Sequence, residues 1–325
     1  MNQTGSLRRI GQTDIFVSPI ALGCWPITGI TSVDVNREDS LLTVRAALDA
    51  GINFFDTAHM YGYEGESERL IAAAIGDRRD EFVIATKSGL HWDAGRQRVC
   101  DARPETIHRE CRESLRRLET DYLDLLFLHA PDRAVPLAET AGAFYELHQQ
   151  GLVRAVGMSN VKISQIEEFR AICPVEVCQP AYNMLQREID ENLLPWCRQQ
   201  QISVVVYWPL MKGLLAGRLR RDHIFSRKDG RQKYPMFQGQ EWEKNQDFVD
   251  QLRVISGKLG KTVAQLVLNW TIHQPGITAA LCGSKRAFQI KENADAMGWE
   301  LTQEIELEIS DAIRARGPIS SRWAI

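Results

Sequence analysis

Four residue types that can together handle a carbonyl oxygen stand at or just beyond the ends of strongly apolar runs in this chain. "GINFFD" stops on Asp56, with Tyr61 five residues later; "FVIATK" stops on Lys87 and "YLDLLFLH" on His129. A free phenol, with a pKa of ~10, is a poor proton donor at neutral pH, and a neighbouring ammonium lowers that value by favouring phenolate. Lys87 is the cation expected to act on Tyr61, and Asp56 the carboxylate that would keep Lys87 charged and oriented. His129 would donate to the same oxygen that the phenol protonates. So arranged, the four form a pocket that protonates a carbonyl.

More polar residues share this placing. "VRAVGMSN" closes on Ser159 and Asn160, and Gln179 falls late in "VEVCQPAY". Singly, each has an ordinary explanation as a helix cap, an ion-pair partner or a satisfied core residue. Collectively they do not, because strands buried on both faces read as apolar runs, and polar groups there are costly unless paired.

The elements that must position them follow from periodicity. Strand-like runs ("IALGC", "INFFD", "FVIATK", "YLDLLFLH", "VRAVGMS", "VEVCQPAY", "SVVVYW", "TAALCG") alternate with runs at helical spacing such as "SERLIAAAI" and "TIHRECRESLRRL". Eight βα units without a GxGxxG turn predict a (β/α)8 TIM barrel, whose active site lies at the C-terminal strand ends. A hairpin is expected at residues 7–17, one long irregular loop at 212–244, and a C-terminal helix and tail. The whole chain, 1–325, reads as one domain.

Composition sets limits. With 325 residues, 44% of them hydrophobic, and a net charge of -3, the chain can bury a large core and lacks the charge excess expected for a nucleic-acid or anionic-membrane partner. Seven scattered cysteines without CxxC predict reduced thiols and no metal site. The N-terminus has no signal-like apolar stretch and no run is long enough to span a bilayer, so the protein is expected in the cytoplasm. The 212–244 loop carries nine Lys/Arg against four Asp/Glu, which suits either a solvated loop or a lid over phosphates.

The blocks "GINFFDTAHMYG", "IATKSG", "YLDLLFLHAPD", "GLVRAVGMSN", "CQPAYNML" and "CGSKRAFQIKEN" resemble, in order and spacing, the motifs of the aldo-keto reductase family, over roughly residues 7 to 310. The likeness is to the bacterial branch that also resembles potassium-channel β subunits. It implies a catalytic quartet of Asp56, Tyr61, Lys87 and His129, with Tyr61 as general acid, and a nicotinamide nucleotide across the barrel mouth. Ser159, Asn160 and Gln179 would hold its carboxamide, and Tyr207 would stack on its ring. Pro209, Leu210 and Arg218 would lie near its pyrophosphate, and Gly283, Lys285, Arg286, Gln289, Glu292 and Asn293 at its adenosine end. Trp25 and Asp56 complete the cofactor set.

Lys285 and Arg286 suit a ribose 2′-phosphate, which favours NADP(H). The implied activity is reversible NADPH-dependent reduction of an aldehyde or ketone, the partner being a small-molecule carbonyl. The alternative is an NADP(H)-binding redox-sensing subunit with little turnover. Trp25, His59 and Trp92 are expected around the substrate, although both tryptophans would serve equally as rim packing. Trp323 in the tail would cover the pocket or meet another subunit. Two residues depart from the family pattern: Trp208 replaces a small residue, and Cys282 a proline.

Overall fold

In the computed structural model, which describes residues 6–320, the alternation of the sequence closes on itself. The strands are β1 (Ile20–Gly23), β2 (Phe54–Asp56), β3 (Val83–Ser88), β4 (Leu123–Leu128), β5 (Val153–Ser159), β6 (Val177–Gln179), β7 (Ser203–Tyr207) and β8 (Ile277–Gly283). They pair in parallel in chain order, and β8 returns to β1 to complete a closed barrel. Around it run α1 (Arg37–Asp49), α2 (Glu66–Ile75), α3 (Pro104–Leu118), α4 (Leu137–Gln149), α5 (Ile163–Arg170), α6 (Leu193–Gln199), α7 (Gly239–Lys258), α8 (Val263–His273) and α9 (Ala287–Ala294). A final helix, α10 (Gln303–Arg316), packs on α7.

Period-two alternation explains why these runs are apolar throughout. Val83, Ala85, Leu125, Phe127, Ala279 and Leu281 fill the barrel, while Ile84, Leu126 and Ala280 between them join the larger core under the helices. Gly157 makes room for this filling, since a Cβ there would lie 2.4 Å from the Phe127 ring. The expected hairpin pairs Arg8–Arg9 with Phe16–Val17, and Ile10, Ile15 and Val17 join the interior cluster.

Two departures bear on the site. A second hairpin, Leu90–Trp92 with Arg98–Cys100, extends the segment after β3. Its only sequence signal is the turn "DAGR", which lies between strands too polar to read as such. The expected irregular segment 212–244 is not irregular throughout: it contains short 3-10 turns at Gly230–Lys233 and Pro235–Phe237, and α7 begins at Gly239. The helix forms because Trp242, Phe248, Val249, Leu252 and Ile255 share a buried face. Trp323 lies outside the described residues.

Candidate active site

Parallel closure brings the polar ends together. Asp56 is the last residue of β2 and pairs in register with Ala85 of β3, two residues before Lys87. Lys87 Nζ donates to Asp56 Oδ1 at 2.7 Å and to the Thr57 carbonyl at 2.8 Å, and lies 3.3 Å from the Tyr61 hydroxyl. Gln179, ending β6, crosses the mouth to donate to Asp56 Oδ2 at 2.8 Å. Asp56 and Lys87 are both buried, and each is the other's ion-pair partner.

Electrostatics correct one expectation. Burial, with the Asp56 and Cys24 charges adding to it, pushes the Tyr61 phenol well above its ordinary pKa, so Lys87 does not pull it down as its sequence position suggests. The reason is geometric: Lys87 lies against Asp56, whose carboxylate offsets its charge. Burial also drives Asp56 up and Lys87 down, while their mutual attraction opposes both shifts.

His129 follows β4 directly. Burial, reinforced by Lys87 and Arg98, pushes its pKa well below the ordinary histidine range, which keeps the imidazole neutral. Its Nδ1 is buried without a hydrogen-bond partner. The Tyr61 and His129 rings lie edge to face with centroids 6.0 Å apart.

The residues expected around the nicotinamide also converge. Ser159 Oγ donates to the Gln179 carbonyl at 2.9 Å, and Asn160, in a left-handed conformation at φ 58°, donates to the His129 carbonyl at 2.9 Å. Tyr207 donates its hydroxyl to Asn160 Oδ1 at 2.9 Å. Hydroxyl and amide groups on neighbouring strand ends, beside a partly buried phenol ring, thus gather in one hydrogen-bonded network where a nicotinamide carboxamide and ring are expected. Pro209 and Leu210 lead from β7 into the turn Met211–Ala216. Trp208 packs edge-on against Tyr207, and Lys212 Nζ sits 4.2 Å over its ring and 4.5 Å over that of Tyr234.

At the end of β8, a Cβ on Gly283 would meet Pro26 at 2.9 Å, so only glycine fits without a shift. Lys285 Nζ donates to the Val33 carbonyl at 2.9 Å, and Arg286 donates to that of Asp34 at 2.5 Å. Both acceptors line a cleft of about 610 Å³ between residues 29–35 and 223–231. Arg218 pairs with Glu292 at 2.5 Å, Gln289 accepts from the Lys285 amide at 2.9 Å, and Asn293 donates to Ser284 at 3.1 Å. The residues expected at the adenosine end thus lie on α9 and the segments next to it, each paired locally.

The three residues expected around the substrate diverge. Trp25 meets Tyr61 edge to face with ring centroids 5.1 Å apart. Trp92 donates to the Met60 carbonyl at 2.8 Å, packs against the small cluster of Ala58, Met60, Leu90 and Ala130, and meets the Tyr63 ring edge to face. His59 is drawn instead to α3, its Nε2 lying 2.7 Å from Glu113. With Tyr63, His91, Trp92 and Arg117 it lines a separate cavity of about 240 Å³ that none of the four catalytic candidates borders.

The Aldo/keto reductase family model matches residues 19–314. The chain belongs to the aldo/keto reductase family. It is 37% identical to the aldo-keto reductase YhdN of Bacillus subtilis (strain 168) over 93% of this chain and 91% of that one. It is 32% identical to the NADH-specific methylglyoxal reductase of Escherichia coli (strain K12), over 90% of this chain and 94% of the relative. Among solved structures, the glycerol dehydrogenase AKR11B4 from Gluconobacter oxydans superposes with a TM-score of 0.90 at 33% identity, covering all of both chains. Among the described residues of this aldo/keto reductase, no helix is long and apolar enough to cross a membrane.

Proposed function

We propose that this aldo/keto reductase reduces an aldehyde or ketone to the alcohol with NADPH, reversibly and in the cytoplasm. The Tyr61 hydroxyl, 3.3 Å from the buried Lys87 ammonium, carries the reading. A nicotinamide held by Ser159, Asn160, Gln179 and Tyr207 would supply the hydride. The chain's own residues handle the proton. Burial keeps Tyr61 protonated at neutral pH, so it meets the substrate with its proton in place. Lys87 then stabilises the phenolate left behind, and Asp56 and the Thr57 carbonyl hold Lys87 at that distance. Neutral His129 offers a second donor to the developing oxyanion, with no charge that would repel Lys87.

A panel of aldehydes, ketoses and quinones tests this proposal, with loss of NADPH absorbance as the readout. Saturable turnover is expected. NADPH bound stoichiometrically without turnover of any carbonyl would overturn it in favour of the redox-sensing subunit.

The preference for NADPH rests on Lys285 and Arg286. One relative is NADH-specific by name, so the two cations need their own test. Lys285 has three N–H donors and uses one of them on Val33, which leaves two for a 2′-phosphate. Lys285→Ala is expected to weaken NADPH binding by about tenfold, the value of one charge-assisted hydrogen bond, and to leave NADH binding unchanged. Fluorescence titration with both nucleotides reads this out, and equal effects on the two would refute the 2′-phosphate contact.

A further inference from the structure

We infer that Arg117 and Glu68, an ion pair between two outer helices, are positioning residues that set the distance between Tyr61 and Lys87. The inference rests on the function proposed above. Neither side chain contacts the quartet, yet between them they tie together the two backbone segments that carry its phenol and its ammonium.

Tyr61 lies in the loop from β2 to α2, so its reach toward Lys87 depends on the path of that loop. Arg117, in the last turn of α3, donates from one nitrogen to the His59 carbonyl at 3.1 Å, two residues before the tyrosine. The same nitrogen donates to Glu68 Oε2 at 3.2 Å. The other oxygen of Glu68 accepts from Thr86 Oγ1 at 2.7 Å. Thr86 immediately precedes Lys87 in β3. One carboxylate on α2 is therefore bonded to the strand of the ammonium and, through one guanidinium, to the loop of the phenol.

The arrangement is built for this contact. The Glu68 side chain is fully buried and that of Arg117 is 11% exposed, which puts the pair where a lost partner cannot be replaced by water. Gly65 gives Arg117 its passage: the residue adopts φ 77°, and a Cβ there would lie 2.5 Å from the Arg117 side chain. Glu113, 3.7 Å from Arg117, holds the His59 ring at 2.7 Å, so the same loop residue is gripped by both its carbonyl and its side chain. A pair that only stabilised the helices would need no bond to the His59 carbonyl.

The test measures single-turnover reduction, NADPH affinity and thermal melting for Arg117→Lys and Glu68→Gln, each in the wild-type and the Tyr61→Phe background. Displacement of a reacting group by about 1 Å costs about 100-fold in rate, so a loss of that size is expected in the wild-type background with NADPH affinity unchanged. In the Tyr61→Phe background no further loss is expected, because the group being positioned is gone. Glu68→Gln keeps the shape and an acceptor oxygen, and carries the test if Arg117→Lys fails to fold. Equal losses in both backgrounds would overturn the inference, as would a lowered melting temperature with full activity. A wild type that reduces no carbonyl would instead overturn the proposed function, and the pair would lose its role with it.

Discussion

Tyr61→Phe is expected to lower the rate of carbonyl reduction by about 1000-fold, within the range that a positioned general acid contributes. The substitution removes one oxygen and keeps the ring, so the edge-to-face contacts with Trp25 and His129 can survive. The only side-chain hydrogen bond the hydroxyl makes in the described structure is the one to Lys87, at 3.3 Å. NADPH affinity should therefore change little, since none of the residues expected to hold the nucleotide is Tyr61 itself, and most of them lie on or beyond β5, β6, β7 and β8 and on α9. A fall in kcat with unchanged NADPH affinity marks loss of an interaction made in the transition state. Turnover within about tenfold of wild type would remove Tyr61 from the role of principal proton donor.

The second large effect falls on the ion pair beneath the phenol. Asp56→Asn is expected to destabilise the fold by about 3–5 kcal/mol, the cost of leaving one member of a buried pair without its partner. The contact is 2.7 Å long, and neither side chain is more than 4% exposed. Burial already lowers the Lys87 pKa against the opposing pull of Asp56, so without Asp56 the ammonium is disfavoured further and the cation that would stabilise the Tyr61 phenolate is weakened. Activity falls together with stability. Replacing both members, as Asp56→Leu with Lys87→Met, should recover much of the stability and none of the activity, because an apolar pair of similar volume carries no desolvation cost. Chemical denaturation of the three proteins checks this. An Asp56→Asn protein within about 1 kcal/mol of wild type would show that the pair is not an electrostatic unit.

Much of this site is legible along the chain because strand ends are local features. Asp56, Lys87 and Ser159 stop apolar runs that a parallel barrel buries on both faces, so their polarity is visible before any contact is known. The eight runs also identify the barrel, since each is short, apolar and followed by a helical pattern. The hairpin at Leu90–Trp92 and Arg98–Cys100 was not visible, because its strands are only three residues each and their burial depends on the neighbouring loops. The start of α7 was obscured because the basic residues from Arg218 to Lys233 mask the apolar face that begins at Trp242.

The partner of His59 could not be read from its position along the chain. This histidine lies between Asp56 and Tyr61, which suggests the wall of the same pocket, but its ring pairs with Glu113, 54 residues further along. Arg117 and Glu68 gave no sequence signal of a role near Tyr61, because what qualifies them is a hydrogen bond to a main-chain carbonyl, and any residue supplies one of those.

The sequence by itself determined the barrel, the polar strand ends and the identity of the groups that could move a proton. Only the tertiary structure decided their electrostatics: Tyr61 is held protonated, His129 neutral, and Lys87 bound to Asp56. Spacing along the chain fixes which groups reach the rim, but a pKa depends on how much water the packed fold removes from each group and how close it brings the opposing charge.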